Sequence, residues 1–237
     1  MKTTCSPVKV LTAVTALVMA GSLVGCDAAA NAVDIIEPAP GIGARGTVDP
    51  ASAADALVQL ESILVKGRAP KTGYDRDEFG PAWADVDRNG CDTRNDILAR
   101  DLTDETFKPA TNNCVVATGT LADKYTGTTI NFTRGQDTSS DVQIDHIVAL
   151  SDAWQKGAQQ LSADQRRELA NDPLNLMAAD GPTNSAKGDK DAATWLPPNK
   201  AFRCEYVARQ TAVKAKYSLW VTQSEHDSIA GILEGCK

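Results

Sequence analysis

The chain of 237 residues contains only two histidines, His146 and His226, so chemistry that needs an imidazole has few places to go. Its six cysteines include no Cys-x-x-Cys pair, which removes the usual spacing of a structural zinc site. Past the N-terminal stretch, no segment is long and apolar enough to cross a bilayer, and no internal repeat is visible. A strongly basic region is also missing. Residues 27–140 carry 18 acidic and 11 basic side chains, a net of −7, whereas residues 141–217 carry 10 of each. Without a strong basic footprint, binding to nucleic acid is expected to be weak and salt-sensitive rather than tight and sequence-specific.

What is present begins with a targeting segment. Lys2 and Lys9 supply positive charge, and Val10 to Ala20 is an apolar stretch suited to a signal h-region. Leu23-Val24-Gly25-Cys26 follows and resembles a bacterial lipobox. The sequence thus predicts a signal peptide over 1–25 and a lipidated Cys26, which anchors the chain by acyl groups to the outward face of the cell membrane. An ordinary cleaved signal with a chance cysteine is the alternative. Residues 26–50, rich in Ala, Pro and Gly, form a flexible tether in this reading. Residues 51–237 suit one domain with its own core. Export predicts an oxidising compartment. With Cys5 and Cys26 set aside, Cys91, Cys114, Cys204 and Cys236 allow three pairings. Cys91–Cys114 and Cys204–Cys236 are expected, since each closes a short loop within one half of the chain.

Turn and cap signals organise the domain. Asp49-Pro50 reads as a helix start, with Leu57, Leu60 and Leu64 at helical spacing to about residue 65. Residues 66–90 read as irregular, and Asp92 as the cap of a helix through Leu98. Strands are expected over 114–121 and 128–132, around the turn Asp123 to Gly127, then over 142–147 and 174–178. Ser151 and Ser162 read as helix caps, the second with Gln165 as a capping box. A short helix is expected from Thr183 or Asn184, and two closing helices over 199–217 and 223–235. The fold class is α+β, with a small β-sheet and flanking helices.

The candidate site lies in Val142-Gln-Ile-Asp-His-Ile-Val-Ala-Leu150. An imidazole with an ordinary pKa near 6.5 can take a proton from water. The neighbouring Asp145 offers a hard oxygen ligand for a divalent cation. Alternation along a strand puts Asp145 and His146 on opposite faces, so both reach one site only where the strand ends or bends. Asn175 and Asn184 follow at distances that complete a pattern.

Asp145-His146, Asn175 and Asn184 together resemble the site of HNH nucleases, the ββα-metal group. Asp145-His146-Ile147-Val148 and Asn184-Ser-Ala-Lys187 are similar to the HNH domains of RNA-guided DNA-cutting effectors, which also carry Asn at the last position. A wider resemblance joins Gly73-Tyr-Asp-Arg76, Cys91-Asp-Thr-Arg94, Tyr125-Thr-Gly127, Asp172-Pro-Leu-Asn-Leu176 and Trp195-Leu-Pro197. Their order and spacing over about 120 residues are similar to exported nucleases related to the C-terminal domain of modified-DNA (GmrSD-type) restriction endonucleases. The resemblance implies a ββα-metal core and a metal-dependent endonuclease of low sequence specificity, with DNA the favoured substrate. His146 is then the general base. Asp145 and Asn184 hold the metal, Mg2+ or next Mn2+, and Asn175 braces the loop that carries the base. Lys187, one turn after Asn184, is expected to face the same phosphate. Arg94 and Lys190 are further candidates for substrate contact, with local ion pairing the alternative for Arg94. No protein partner is expected.

Asp85-x-Asp87-x-Asn89-Gly90, with Asp96 further on, matches the first half of a calcium loop, although the last position is normally Glu and Cys91 lies inside it. An Asp-rich turn is the alternative. Two other functions stay open on sequence alone, a non-catalytic surface binding lipoprotein and a phosphodiesterase for small substrates.

Overall fold

The structure, a computed structural model, describes residues 50–236. The expected signal peptide, Cys26, the tether and the Asp49 cap lie outside the described residues. Helices and small antiparallel sheets mix as α+β. Helix α1 (Pro50–Glu61) packs on the two closing helices, α6 (Arg203–Lys216) and α7 (Gln223–Glu234). Ala53, Ala56 and Leu60 are its buried stripe, while Leu64 lies beyond its end and is exposed. Helix α2 (Thr93–Asp101) begins where the sequence predicts, because the Asp92 side chain accepts from Asn95 N.

Strands β1 (Leu102–Phe107), β2 (Val116–Ala122) and β3 (Thr129–Thr133) form an antiparallel meander in that order. Strand β1 was not expected. Thr-Asp-Glu-Thr gives it no apolar alternation, and it lies at the sheet edge with exposed side chains. A second sheet pairs β4 (Val142–His146) with β5 (Leu176–Asp180), with Asp145 opposite Met177 and His146 opposite Leu176. Helix α5 (Gly181–Lys187) follows β5 directly, so strand, strand and short helix share one unit.

Two caps differ from expectation. Ser151 lies inside α3 (Leu150–Gln155), whose N-cap is Ala149, and its hydroxyl donates to Asp189 instead. Helix α5 starts at Gly181, because Asp180 accepts from Thr183 N and Pro182 fits the first turn. The Ser162–Gln165 capping box forms as predicted at the head of α4 (Ala163–Asn171). Both expected disulfides, Cys91–Cys114 and Cys204–Cys236, are present.

Candidate active site

Strand β4 ends at His146, and this lets neighbouring side chains from its two faces serve one cleft. The cleft, about 250 Å³, is lined by Asp145, His146 and Asn184, with Tyr74, Arg76 and Asp189 around them. Thus three of the residues singled out by spacing line one cavity.

The His146 ring is 8% exposed, and its Nε2 lies 2.9 Å from the carbonyl oxygen of Ala170. A carbonyl can only accept, so Nε2 carries the proton and Nδ1 keeps a free lone pair. Burial lowers the imidazole pKa to about 4, against the opposing pulls of the Ala170 carbonyl and Asp145. The ring is therefore neutral at pH 7, as a proton acceptor must be. Trp83 lies nearly parallel to it, with ring centroids 6.1 Å apart and 13° between planes.

Asn175 is fully buried and staples the chain just past the base. Its Oδ1 accepts from Val148 N at 2.8 Å, its Nδ2 donates to Val148 O at 3.3 Å, and its own carbonyl accepts from Ile147 N at 2.7 Å.

Asp145 is 5% exposed and both its oxygens are engaged. Oδ2 accepts from the Tyr125 hydroxyl, and Oδ1 accepts from Lys187 Nζ at 2.9 Å. Burial, then the Asp145 charge, keeps the Tyr125 phenol protonated far above its ordinary range, so it remains a donor. Each carboxylate oxygen has two lone pairs, so one on each remains for a cation. Asn184 Nδ2 donates to Gln143 Oε1 at 2.9 Å, and its Oδ1 has no partner among the described residues. Gln143 stands two residues before Asp145 on the same strand face, and it aims the Asn184 carbonyl. Asp145 and Asn184 together offer hard oxygen donors, one carboxylate and one amide, the kind that would suit a hard divalent cation. Among the described residues no group of three or more His, Cys, Asp or Glu is placed to hold a metal, so a cation here relies on the amide.

The cationic candidates are placed differently from expectation. Lys187 points inward. It is fully buried, and its Nζ donates to Asp145 and to the carbonyl of His146 at 2.8 Å, because a buried carboxylate needs a charged partner. Arg94 turns to the carbonyls of Ser139 and Val142 and ties α2 to the start of β4. Lys190 folds back on the carbonyl of Ala186. The calcium-like loop spends its carboxylates internally. Asp85 and Asp87 accept from the amides of Asn89 and Gly90, and Asp96 accepts from the Asn89 side chain, the bonds of an Asp-rich turn, which was the alternative to calcium binding. Tyr125, Gln143, Arg76 and Trp83 are the residues that sequence reasoning missed. Tyr125 and Arg76 stood in the Tyr-Thr-Gly and Gly-Tyr-x-Arg segments, which were the available signal.

The family model of the GmrSD restriction endonuclease C-terminal domain matches residues 92–232. The chain belongs to that family. Members of the GmrSD C-terminal family are nuclease-related, and the match spans β4, β5 and α5. The segment bearing Arg76 and Trp83 lies upstream of it. An "Uncharacterized secreted protein" of Arthroderma benhamiae is 35% identical over 187 residues, 78% of this chain and 86% of that protein. No solved structure matches. Among the described residues no helix is long and apolar enough to cross a membrane.

Proposed function

We propose that this GmrSD-family domain is an exported ββα-metal (HNH) endonuclease that hydrolyses phosphodiester bonds of DNA with low sequence specificity. One observation carries the reading: His146, whose ring is neutral at pH 7, lines the same cleft as Asp145 and Asn184. His146 Nδ1 accepts a proton from water, while the Ala170 carbonyl fixes the ring's tautomer and direction. Asn175 holds the turn after His146 so that the ring cannot drift. Asp145 and Asn184 would hold the divalent metal, which when bound supplies charge for the scissile phosphate and the leaving oxygen. Lys187 and Tyr125 fix the Asp145 carboxylate from behind. Attachment to a membrane through Cys26 is part of the same proposal, and rests on the lipobox-like sequence alone.

The test is nicking of supercoiled plasmid by the full chain with Mg2+, beside an EDTA control. Loss of nicking in EDTA, with a raised Mg2+ requirement in Asn184→Ala, is the expected result. Metal-independent nicking, or an unchanged metal titration in Asn184→Ala, contradicts the assignment of ligands.

A further inference from the structure

Beside the cleft lies a second recess, about 70 Å³, walled by Phe79, Trp83 and Leu150. His146 and Arg76 line both this recess and the cleft that holds Asp145 and Asn184. Two groups in the recess are unspent. Asn171 is 1% exposed, and its Nδ2 donates to the carbonyl of Arg167 at 2.9 Å. That bond orients the amide and leaves Oδ1 buried without a partner among the described residues. A buried acceptor left unmade is destabilising, so one that persists beside a cavity marks a place for a donor. Arg76 is the second. It is exposed and makes no side-chain hydrogen bond or ion pair among the described residues. Its backbone is nevertheless held in place. It opens the short 3-10 turn Arg76–Phe79, capped by Asp75, and Phe79 is buried against Tyr74 and Trp154.

Chemistry limits what can fill this recess. An amide oxygen only accepts, so the ligand must bring an N–H or O–H. A free guanidinium calls for an anion, with phosphate oxygens a good match to its fork. Apolar walls and an indole favour a flat or apolar edge. A nucleotide supplies all three together. The volume suits the edge of one sugar or base, since a single water needs about 10–15 Å³ by a comparable measure.

We propose that this recess is the subsite for the nucleoside next to the scissile phosphate. Arg76 grips the phosphate that links the two clefts, and Asn171 Oδ1 accepts a hydrogen bond from the nucleoside's sugar or base. The inference rests on the nuclease reading of the neighbouring cleft.

The test uses binding without cleavage. A fluorescent single-stranded oligodeoxynucleotide is titrated against the full chain carrying His146→Ala, over a range of salt, with anisotropy as readout. Adding Arg76→Ala should make the negative slope of log affinity against log salt shallower by about 0.7, the loss of one phosphate contact. Arg76→Lys should keep the slope, and Lys108→Ala, an exposed charge on the β1–β2 loop, should leave it unchanged. Adding Asn171→Leu should weaken binding about fivefold with the slope unchanged, as for a neutral hydrogen bond. Thermal melts check that each variant folds, and the Arg76 comparison decides alone if Asn171→Leu does not. An unaltered slope in Arg76→Ala overturns the proposal. So does an equal drop in Lys108→Ala, full affinity in a folded Asn171→Leu, or no measurable binding at low salt. Plasmid nicking by the wild-type chain tests the parent reading separately, so wild-type cleavage with an unaltered slope sinks this inference alone.

Discussion

A carboxylate as buried as that of Asp145 needs partners, and Lys187 and Tyr125 are its partners. Removing the charge of Lys187 strands an anion in the interior. Lys187→Met is therefore expected to destabilise the chain by about 3–5 kcal/mol, the usual cost of breaking a buried pair on one side. A chemical-denaturation midpoint equal to wild type would contradict this and return Lys187 to the substrate side. Spacing placed Lys187 one turn after Asn184 correctly, but spacing carries no information on which way a long side chain swings. The direction depends on Asp145, 42 residues earlier in the chain. Gln143 and Tyr125 were hidden for the same reason. Each acts on a partner, Asn184 or Asp145, that only the pairing of β4 with β5 and the turn before β3 bring near.

At the scale of elements, the site depends on how closely α5 follows β5. Gly181 sits at that junction, and a Cβ there would lie 2.0 Å from the backbone oxygen of Ser140. Its amide also donates to the carbonyl of Asp141 at 2.9 Å. Gly181→Ala must push α5 off the turn that precedes β4, an overpacking cost of about 1–3 kcal/mol. Since Asn184 rides on α5, the metal requirement for cleavage is expected to rise with the loss of stability. A Gly181→Ala protein with normal melting and a normal Mg2+ titration would show that the junction is slack. The elements themselves were largely legible where caps are local, as at Asp92 and Ser162. They were less legible where a boundary is set by tertiary pairing. Strand β5 begins two residues later than its apolar run, because Asn175 is spent on bracing Val148.

At the scale of the whole molecule, a buried ionic cluster joins distant segments. Lys156, fully buried, contacts Asp152, Asp191 and Glu225 at 2.6–2.8 Å. Lys214 meets Asp152 and Glu225, and Arg68 meets Asp152 and Asp191. The cluster ties α3, α6, α7 and the segments after α1 and α5 into one body. Burial by itself would raise the Asp191 carboxyl, but hydrogen bonding and charge from Lys156 outweigh it and hold the pKa down to about 2. A carboxyl depressed in the folded state contributes stability that is complete above its unfolded value near 3.9 and is lost as pH falls toward 2. Melting temperature is thus expected to drop steeply between about pH 4 and pH 2. Asp191→Asn should lower it at pH 7 and flatten that acid limb. An acid limb of the same steepness in Asp191→Asn would contradict the assignment. None of this network was legible in the sequence, since its members span residues 68 to 225 and follow no local period.

The most direct measurement of the central claim is plasmid nicking in Mg2+ by His146→Ala beside the wild-type chain, both shown to be folded by thermal melts. The account predicts nicking by the wild type and at least about a hundredfold less by the variant, the usual contribution of a general base. Equal nicking by a folded His146→Ala protein would contradict it, because the imidazole whose Nε2 is held by Ala170 would then have no part in the chemistry.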